Sequence, residues 1–486
     1  MTLQKPSLSA PFGIQMIDDK TGRGVPLVEL ETTHHRLFVT DSQGWAAIPD
    51  PELMNTEVYF HVRSHGCEYP KDGFGYAGVR LMVKPGGLAQ VKIRHSNIAE
   101  RLCRLTGAGI YADSLLLNQR VPLREPVLSG KVAGQDSALA VVYRGRMLWF
   151  WGDTGRLAYP LGNFRTTGAV ATFPSGKNTA ESGLDFRYFN NAEGFTREMC
   201  PSKKPGPIWI GGLAVIGDTG KEELIAHYSR MESLAKKVEQ GYVLWDDDRQ
   251  VFRFHKELPL SESWRFLDGH PIRVTENGTT YLAGSFCFPV VRVPADRNSV
   301  LDPTSYEAFT CLNAGGDVRR DAQGKPIYQW QKEESPLHSQ DEADLVKQGK
   351  LALSDAHFLP RDAEGKPIIL HGGTVTWNPW RKKWLLIATH KAAKESLLGN
   401  LVYSEADAPA GPWRRAVTIV THNQYTFYNP VHHPFLDAAG GRIIHFEGTY
   451  TAEFSGNPRP TPRYDYNQIL YRLDLADPRL EPARSR

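Results

Sequence analysis

Five times after residue 130 the chain runs apolar, turns, and runs apolar again, and this repeat constrains the fold more than any other feature. The pairs are "QDSALAVVYRGRMLWFWGDT" around Arg144-Gly145, "GPIWIGGLAVIGDTGKEELIAHYSRM" around Asp218-Thr219-Gly220, and "GHPIRVTENGTTYLAGSF" around Asn277-Gly278. "HGGTVTWNPWRKKWLLIATH" follows around Trp380-Arg381, and "YNPVHHPFLDAAGGRIIHFEGTYT" around Ala439-Gly440. Aromatic and β-branched runs about a short turn predict β-hairpins. Companion strands lie between them, as in "GYVLWDDDRQVFRFH" and "NLVYSEADAPAGPWRRAVTIV". The first hairpin begins and ends on an aspartate. Folding it sets Asp136 opposite Asp153, and like charges facing each other across a strand pair are destabilising. Such a pair needs a reason to exist.

Five hairpin units in about 350 residues is the spacing of an all-β, five-bladed β-propeller with insertions. In a propeller the first strand of each blade lines the central channel. That places Asp136, Trp209 with Gly211, His270, His371 and His432-His433 toward a shared axis, joined by hairpin partners Asp153, Tyr228, Ser285, His390 and Glu447. Carboxylates clustered in a partly dry site have separated pKa values, giving one acid and one base near neutrality. Histidines at successive inner strands would also suit a metal on the axis, with His270, His371 and His433 as ligands to Ca or another divalent ion.

The first hundred residues form a separate small β-sandwich of short alternating strands, and residues 101–128 a linker to a propeller over 129–478. Within the connection, "NIAERLCRLTG" is expected as a short helix ending at Gly107, and "ESLAKKVEQG" as another. The polar stretch 313–356 is expected as a helical or loop excursion. The order "D-x-x-T-G-x-x-V-P … V-T-D-S-x-G" resembles the transthyretin or carboxypeptidase-regulatory sandwich, which implies a packing or spacer module, or a carbohydrate-binding one.

Composition narrows the function classes. The net charge of +3 gives no basic face for nucleic acid. The five cysteines are scattered without a CxxC pair, as free thiols in a reducing compartment are. The start "MTLQKPSLSAPFG" lacks a signal-peptide core, and no run of 18 apolar residues exists. A cytoplasmic protein without a membrane span is expected, or a periplasmic or secreted one if a leader has been trimmed. With aromatics at 10% and 11 Trp, surfaces that stack on flat ligands are expected.

"QDSALAVVYRGRMLWFWGDT", "GTVTWNPWRKKWLLIA" with "LVYSEADAPAGPW", and "YNPVHHPFLDAAGGRIIHFEGTY" resemble the five-bladed propeller glycoside hydrolases, the arabinanase, xylosidase, invertase-like and D-arabinanase-type enzymes. The likeness spans roughly 126–475. It implies a bacterial-type carbohydrate-active hydrolase of plant, algal or bacterial oligo- or polysaccharides that needs no cofactor. Asp136 matches the base or nucleophile by position. A later glutamate acts as acid in that superfamily, for which Glu447 is favoured over Glu307 and Asp185. The third blade departs from the pattern, offering His270 and Arg273 with Asp268 two residues before. Trp149, Trp151, Trp209 and Tyr188 are candidates to stack on sugars, and Arg165, Arg187 and Arg273 to hold an acidic group. A uronate lyase using His270, His371, Tyr188 and Arg187 is the alternative.

Overall fold

Two four-stranded sheets lie within residues 12–95, and after them come five sheets of four or five strands and a small three-stranded one. The structure is a computed structural model, and it describes residues 10–173, 179–217, 220–394 and 396–484. The predicted turn at Asp218-Thr219 lies outside the described residues.

In the N-terminal unit one sheet runs Trp45–Ile48, Phe12–Asp18, Leu88–His95, Cys67–Glu68, and the other Leu37–Val39, Glu29–Thr32, Thr56–Arg63, Gly78–Val83. Alternation does the work: Val58, Phe60 and Val62 turn inward from one strand and meet Ile14, Met16 and Ile93 of the other sheet in one core. The D-x-x-T-G motif is a turn. Asp18 Oδ1 accepts from Thr21 N at 2.8 Å and from Thr21 Oγ1 at 3.0 Å, which delivers the chain to Gly22 at φ 69°.

The main body is a series of antiparallel sheets in chain order. The first holds Leu139–Tyr143, Arg146–Trp151, Thr167–Ala171 and Phe186–Tyr188; the second Ile208–Ile216, Glu223–Ser233, Lys236–Asp246 and Val251–Leu258. The third holds Ile272–Glu276, Thr279–Gly284, Val291–Pro294, Glu307–Thr310 and Gln329–Gln331; the fourth Leu370–Asn378, Lys383–His390, Asn400–Ala406 and Val417–Val420. The fifth takes Thr426–His432, Ile443–Thr451 and Asn467–Asp474 from this end of the chain, and its last strand, Glu100–Arg104, from the other. Beside the first sheet, Val132–Gln135, Thr154–Arg156 and Tyr159–Asn163 form a small three-stranded sheet.

Each sheet shares an apolar core with the next. Phe150 of the first packs with Ile208 and Val243 of the second, and Ile225 and Tyr242 of the second with Leu282 and Val293 of the third. Phe288, just before the third strand of the third sheet, shares a core with Val375 and Leu386 of the fourth, and Leu385 and Ile387 with Phe427 and Ile444 of the fifth. Finally Leu102, Cys103 and Leu470 of the fifth sheet share a core with Met147, Trp149 and Ala169 of the first. The series returns on itself.

Three sequence expectations are corrected. Residues 97–107 are not helical: Glu100–Arg104 is a strand inside the fifth sheet, so the body reaches across the expected boundary at 100. Its partner lies more than 360 residues away, out of reach of any local signal. Residues 232–241 form a hairpin, Glu223–Ser233 turning into Lys236–Asp246, because a paired β-edge outweighs local helix propensity. The stretch 313–356 is neither wholly helix nor loop. It adds Gln329–Gln331 to the third sheet and carries the helix Ser339–Lys347, whose buried Glu342 accepts from Tyr328 Oη at 2.6 Å and Phe358 N at 2.6 Å.

Leu102 is fully buried where the fifth sheet meets the first. Leu102→Ala should cost about 2–5 kcal/mol of stability, the usual range for such a truncation. Hydrogen exchange should show Asn467–Asp474 losing protection before the strands of the second sheet; equal loss everywhere would mean that the closing strand is not a separate weak point.

Candidate active site

The opening strands of all five sheets end on one cavity of about 930 Å³. Its lining includes Asp136 and Ser137 before the first sheet, Trp209 to Gly211 of the second, and Asp268 to His270 ahead of the third. His371 to Gly373 of the fourth and Tyr428-Asn429 of the fifth complete it. Four of these entries share a backbone device. Ser137 (φ 54°), Gly212 (φ 59°), Gly269 (φ 59°) and Asn429 (φ 49°) sit in the left-handed region, and strand pairing slips at Gly211/Ala214 and at Tyr428/Val431. Such bulges re-aim side chains where a strand approaches a site. Glycine also makes room: a Cβ on Gly152 would lie 2.4 Å from Asp136 Oδ1, and one on Gly211 2.4 Å from Asp268 Oδ1.

Asp136 and Asp153 face each other at the mouth of the first hairpin. Asp136 N donates to Asp153 O at 3.1 Å, and Gly152 N to Asp136 O at 2.9 Å. The Asp136 carboxylate accepts from Asp153 N at 2.7 Å and from Tyr428 Oη at 2.8 Å. Burial raises Asp136 to about 6 against these hydrogen bonds. Asp153 is raised further, to about 7, by burial first and by the charge of Asp136 second. Its Oδ1 has no hydrogen-bond partner among the described residues. At neutral pH the pair therefore holds one ionised carboxylate beside one that readily keeps its proton.

Asp268 lines the same cavity from the third sheet. Burial raises it, opposed by a hydrogen bond from Gly269 N at 2.8 Å. His270 falls to about 3 through burial, with His433 adding to the effect, and His371 is lowered by burial and by Lys391. Both imidazoles are neutral at pH 7. Glu453 accepts from Tyr466 Oη at 2.8 Å, and both residues line the cavity. Among the described residues the lining contains neither Lys nor Arg.

The structure brings Asp136, Asp153, His270, His371, Trp151 and Trp209 to this cavity. It does not bring Glu447. That carboxylate is fully buried outside the lining, its Oε1 accepting from Trp149 Nε1 at 2.8 Å and held 2.7 Å from His433 Nε2. The fifth opening was placed four residues too late: the strand starts at Thr426, and Tyr428-Asn429 reach the cavity instead of His432-His433. The Asn-Pro step in "TFYNPV" was the available signal for that bend. Tyr188 lies beneath the site, donating to Gln135 Oε1 at 2.9 Å. Arg165 is spent on Glu198, Arg273 donates to Val215 O at 2.6 Å, and Arg187 lines a smaller cavity with Arg124 and Asp185. The expected metal trio is split because His433 faces Glu447, and among the described residues no group of three or more His, Cys, Asp or Glu is placed to hold a metal ion. Sequence reasoning missed Tyr428, Asn429, Glu453 and Tyr466; the last two stand outside any periodic pattern.

No family model matches the chain, and no curated protein matches it. Among solved structures, a Bacteroides ovatus protein is similar at 12% identity over 70% of this chain and 86% of its own, with a TM-score of 0.41. A Fusarium graminearum α-L-arabinofuranosidase with an iminosugar inhibitor is similar at 10% identity, over 78% of this chain and 99% of its own, with a TM-score of 0.36. A GH43_1 enzyme from Xanthomonas citri complexed with xylotriose is similar at 11% identity, over 72% and 93%, with a TM-score of 0.34. At these scores the likeness bears on no residue's role.

Both aspartates are raised on folding, so their protonated forms contribute stability that is present below the ordinary carboxylate range near 4 and lost as pH rises through about 6 to 7. Asp153→Asn removes that residue's share of the loss and leaves the share of Asp136, which burial sets. The variant's melting temperature should gain on the parent's between pH 5 and pH 8; a constant difference across that range would refute the coupling.

Proposed function

We propose that the five sheets are the blades of a five-bladed β-propeller and that its cavity hydrolyses glycosidic bonds of a neutral glycan. The observation that carries this is the Asp136–Asp153 pair: two carboxyls side by side, of which burial and mutual repulsion keep one protonated. Glycoside hydrolysis needs such a division. Asp136, ionised and oriented by Tyr428 and the Asp153 N–H, activates a water or attacks the anomeric carbon. Asp153 passes its proton to the leaving oxygen, and water supplies the hydroxyl that ends on the sugar. Asp268 is a second candidate for the acid, favoured by its raised carboxyl on another sheet of the same cavity.

The composition of the lining favours one substrate class. A uronate or sulfated sugar needs its charge neutralised, whereas this lining offers Asp136, Asp153, Asp268 and Glu453 with no Lys or Arg among the described residues. Desolvated like charges repel. A neutral sugar is therefore favoured, and the lyase chemistry, which requires a masked carboxylate, is not. The N-terminal sheets contribute no lining residue and are read as a module that packs against the body.

Asp136→Asn should fold and lose about 10²–10⁴-fold in kcat/KM, the weight of a general base. The parent's kcat/KM should trace a narrow bell, its limbs set by the pair near 6 and 7. Products on a panel of neutral glycans should show new reducing ends without ultraviolet absorbance. Full activity in folded Asp136→Asn would remove this residue from the chemistry. Should Asp268→Asn, not Asp153→Asn, abolish the falling limb, the acid is Asp268.

Glu447→Gln tests the displaced candidate. It keeps the acceptor for Trp149 but not the charge beside His433, so stability should change while the two limbs stay in place. A lost limb would return Glu447 to the mechanism.

A further inference from the structure

The opening strands supply the cavity's carboxylates and histidines, but a second set of segments surrounds them. In each of the five sheets, the connection leaving the second strand also reaches the cavity. In the first sheet it carries Gly152 and Asp153. In the other four it carries Leu234, Phe286, Leu398 and Phe454, one apolar residue per sheet. Position and chemistry both repeat.

Three of these residues are held out, not tucked in, and Leu398 is half-buried. Leu234 is 78% exposed, Phe454 58% and Phe286 44%. Leu234 stands at the tip of the hairpin of the second sheet, past the last pairing of that hairpin with the opening strand at Ile208 and Arg230. Phe454 is set by a backbone at φ 59°, a conformation that costs a phenylalanine energy, with its ring edge-on to Tyr428 at 6.2 Å and more than half its surface open. Exposed apolar side chains that converge on one opening mark a binding surface.

We propose that these four residues form a collar for an apolar aglycone, so that the substrate is a neutral sugar joined to an alkyl or aryl group. This rests on the hydrolase reading of the floor. A longer glycan would present hydroxyls to the mouth, and hydroxyls need partners. The collar side chains have none to give, and the nearby Glu453 already holds Tyr466 Oη on its Oε2. Leu234 and Leu398 also lack the ring face on which a sugar stacks. The polar floor and the apolar collar together match a molecule that is itself divided in that way.

The test compares octyl with methyl glycosides of glucose, galactose, xylose and arabinose, in both anomers, on the full chain. The octyl form of the sugar cleaved should be preferred in kcat/KM by about tenfold or more, the weight of roughly two buried methylenes. Leu234→Gln and Phe454→Asn change exposed positions, and asparagine tolerates the left-handed backbone at 454. Together they should bring the octyl-to-methyl ratio toward unity. Cleavage with no octyl preference, or with a ratio unmoved by both substitutions, overturns the collar and leaves the hydrolase. If no glycoside is cleaved, octyl glucoside binding by calorimetry separates the two: binding that the double variant loses supports the collar while the hydrolase fails, and absence of binding overturns both.

Discussion

Pairing of Glu100–Arg104 with Asn467–Asp474 is the constraint on which the main body depends. Without it the fifth sheet would keep only three strands. The strand also brings Leu102 and Cys103 into the core shared with the first sheet, so one short segment completes a sheet and seals an interface. It is further tethered by its flanks: Ile98 N and Ala99 N both donate to Ile419 O of the fourth sheet, at 3.1 and 3.0 Å. Arg472 of the neighbouring strand bonds Glu100 and Glu181, tying together the closing strand, the fifth sheet and the connection between the last two strands of the first. The N-terminal unit leads straight into this strand.

A closed set of sheets makes a strained floor tolerable. Two facing carboxyls and several left-handed residues would relax in a loose structure. Here the layer below is a buried polar network. Gln135 Nε2 donates to Thr167 Oγ1 at 2.9 Å, Tyr188 Oη to Gln135 Oε1 at 2.9 Å, and Gln468 Nε2 to Thr449 Oγ1 at 2.8 Å. The last hydroxyl accepts from Ser137 N at 2.9 Å, and Asn429 Nδ2 reaches Ser137 Oγ at 2.9 Å. Hydrogen-bonded networks of this kind rigidify a core, and here Gln468 Oε1 and Asn429 Oδ1 are left without a partner among the described residues. Tyr188, expected to meet substrate, is a strut that fixes the residue next to Asp136.

The hairpins were legible in the sequence because each is local: apolar alternation and a turn residue lie within about twenty residues of each other. The opposed aspartates were legible for the same reason, since folding one hairpin suffices to find them. What failed was non-local or irregular. The closing strand was taken for a helix, since its β-partner is not in view. Glu447 was assigned by counting along a regular strand, while the actual strand bulges at Asn429 and shifts which residues reach the cavity. Glu453 and Tyr466 come together through a loop and the strand approach that follows it, which carry no period to read.

The bulges and the loops divide the labour of the site. The proposed chemistry sits at strand openings held by pairing with the second strand of each sheet, where a misplaced carboxylate would be costly. The proposed selectivity sits on the connections after the second strands, at side chains that are exposed or half-buried even where the connection itself, as at Phe288, is anchored in a core. Only the first sheet breaks this rule, placing Asp153 on a connection. It does so with support the others lack: the chain leaves Asp153 directly into Thr154–Arg156, a strand of the small added sheet whose Thr154 is itself buried in the polar layer. That extra sheet turns a loop position into a fixed one. A carboxyl that must hold a proton beside an ionised neighbour requires such a mount, because a mobile loop would swing it into water and return it to an ordinary acid.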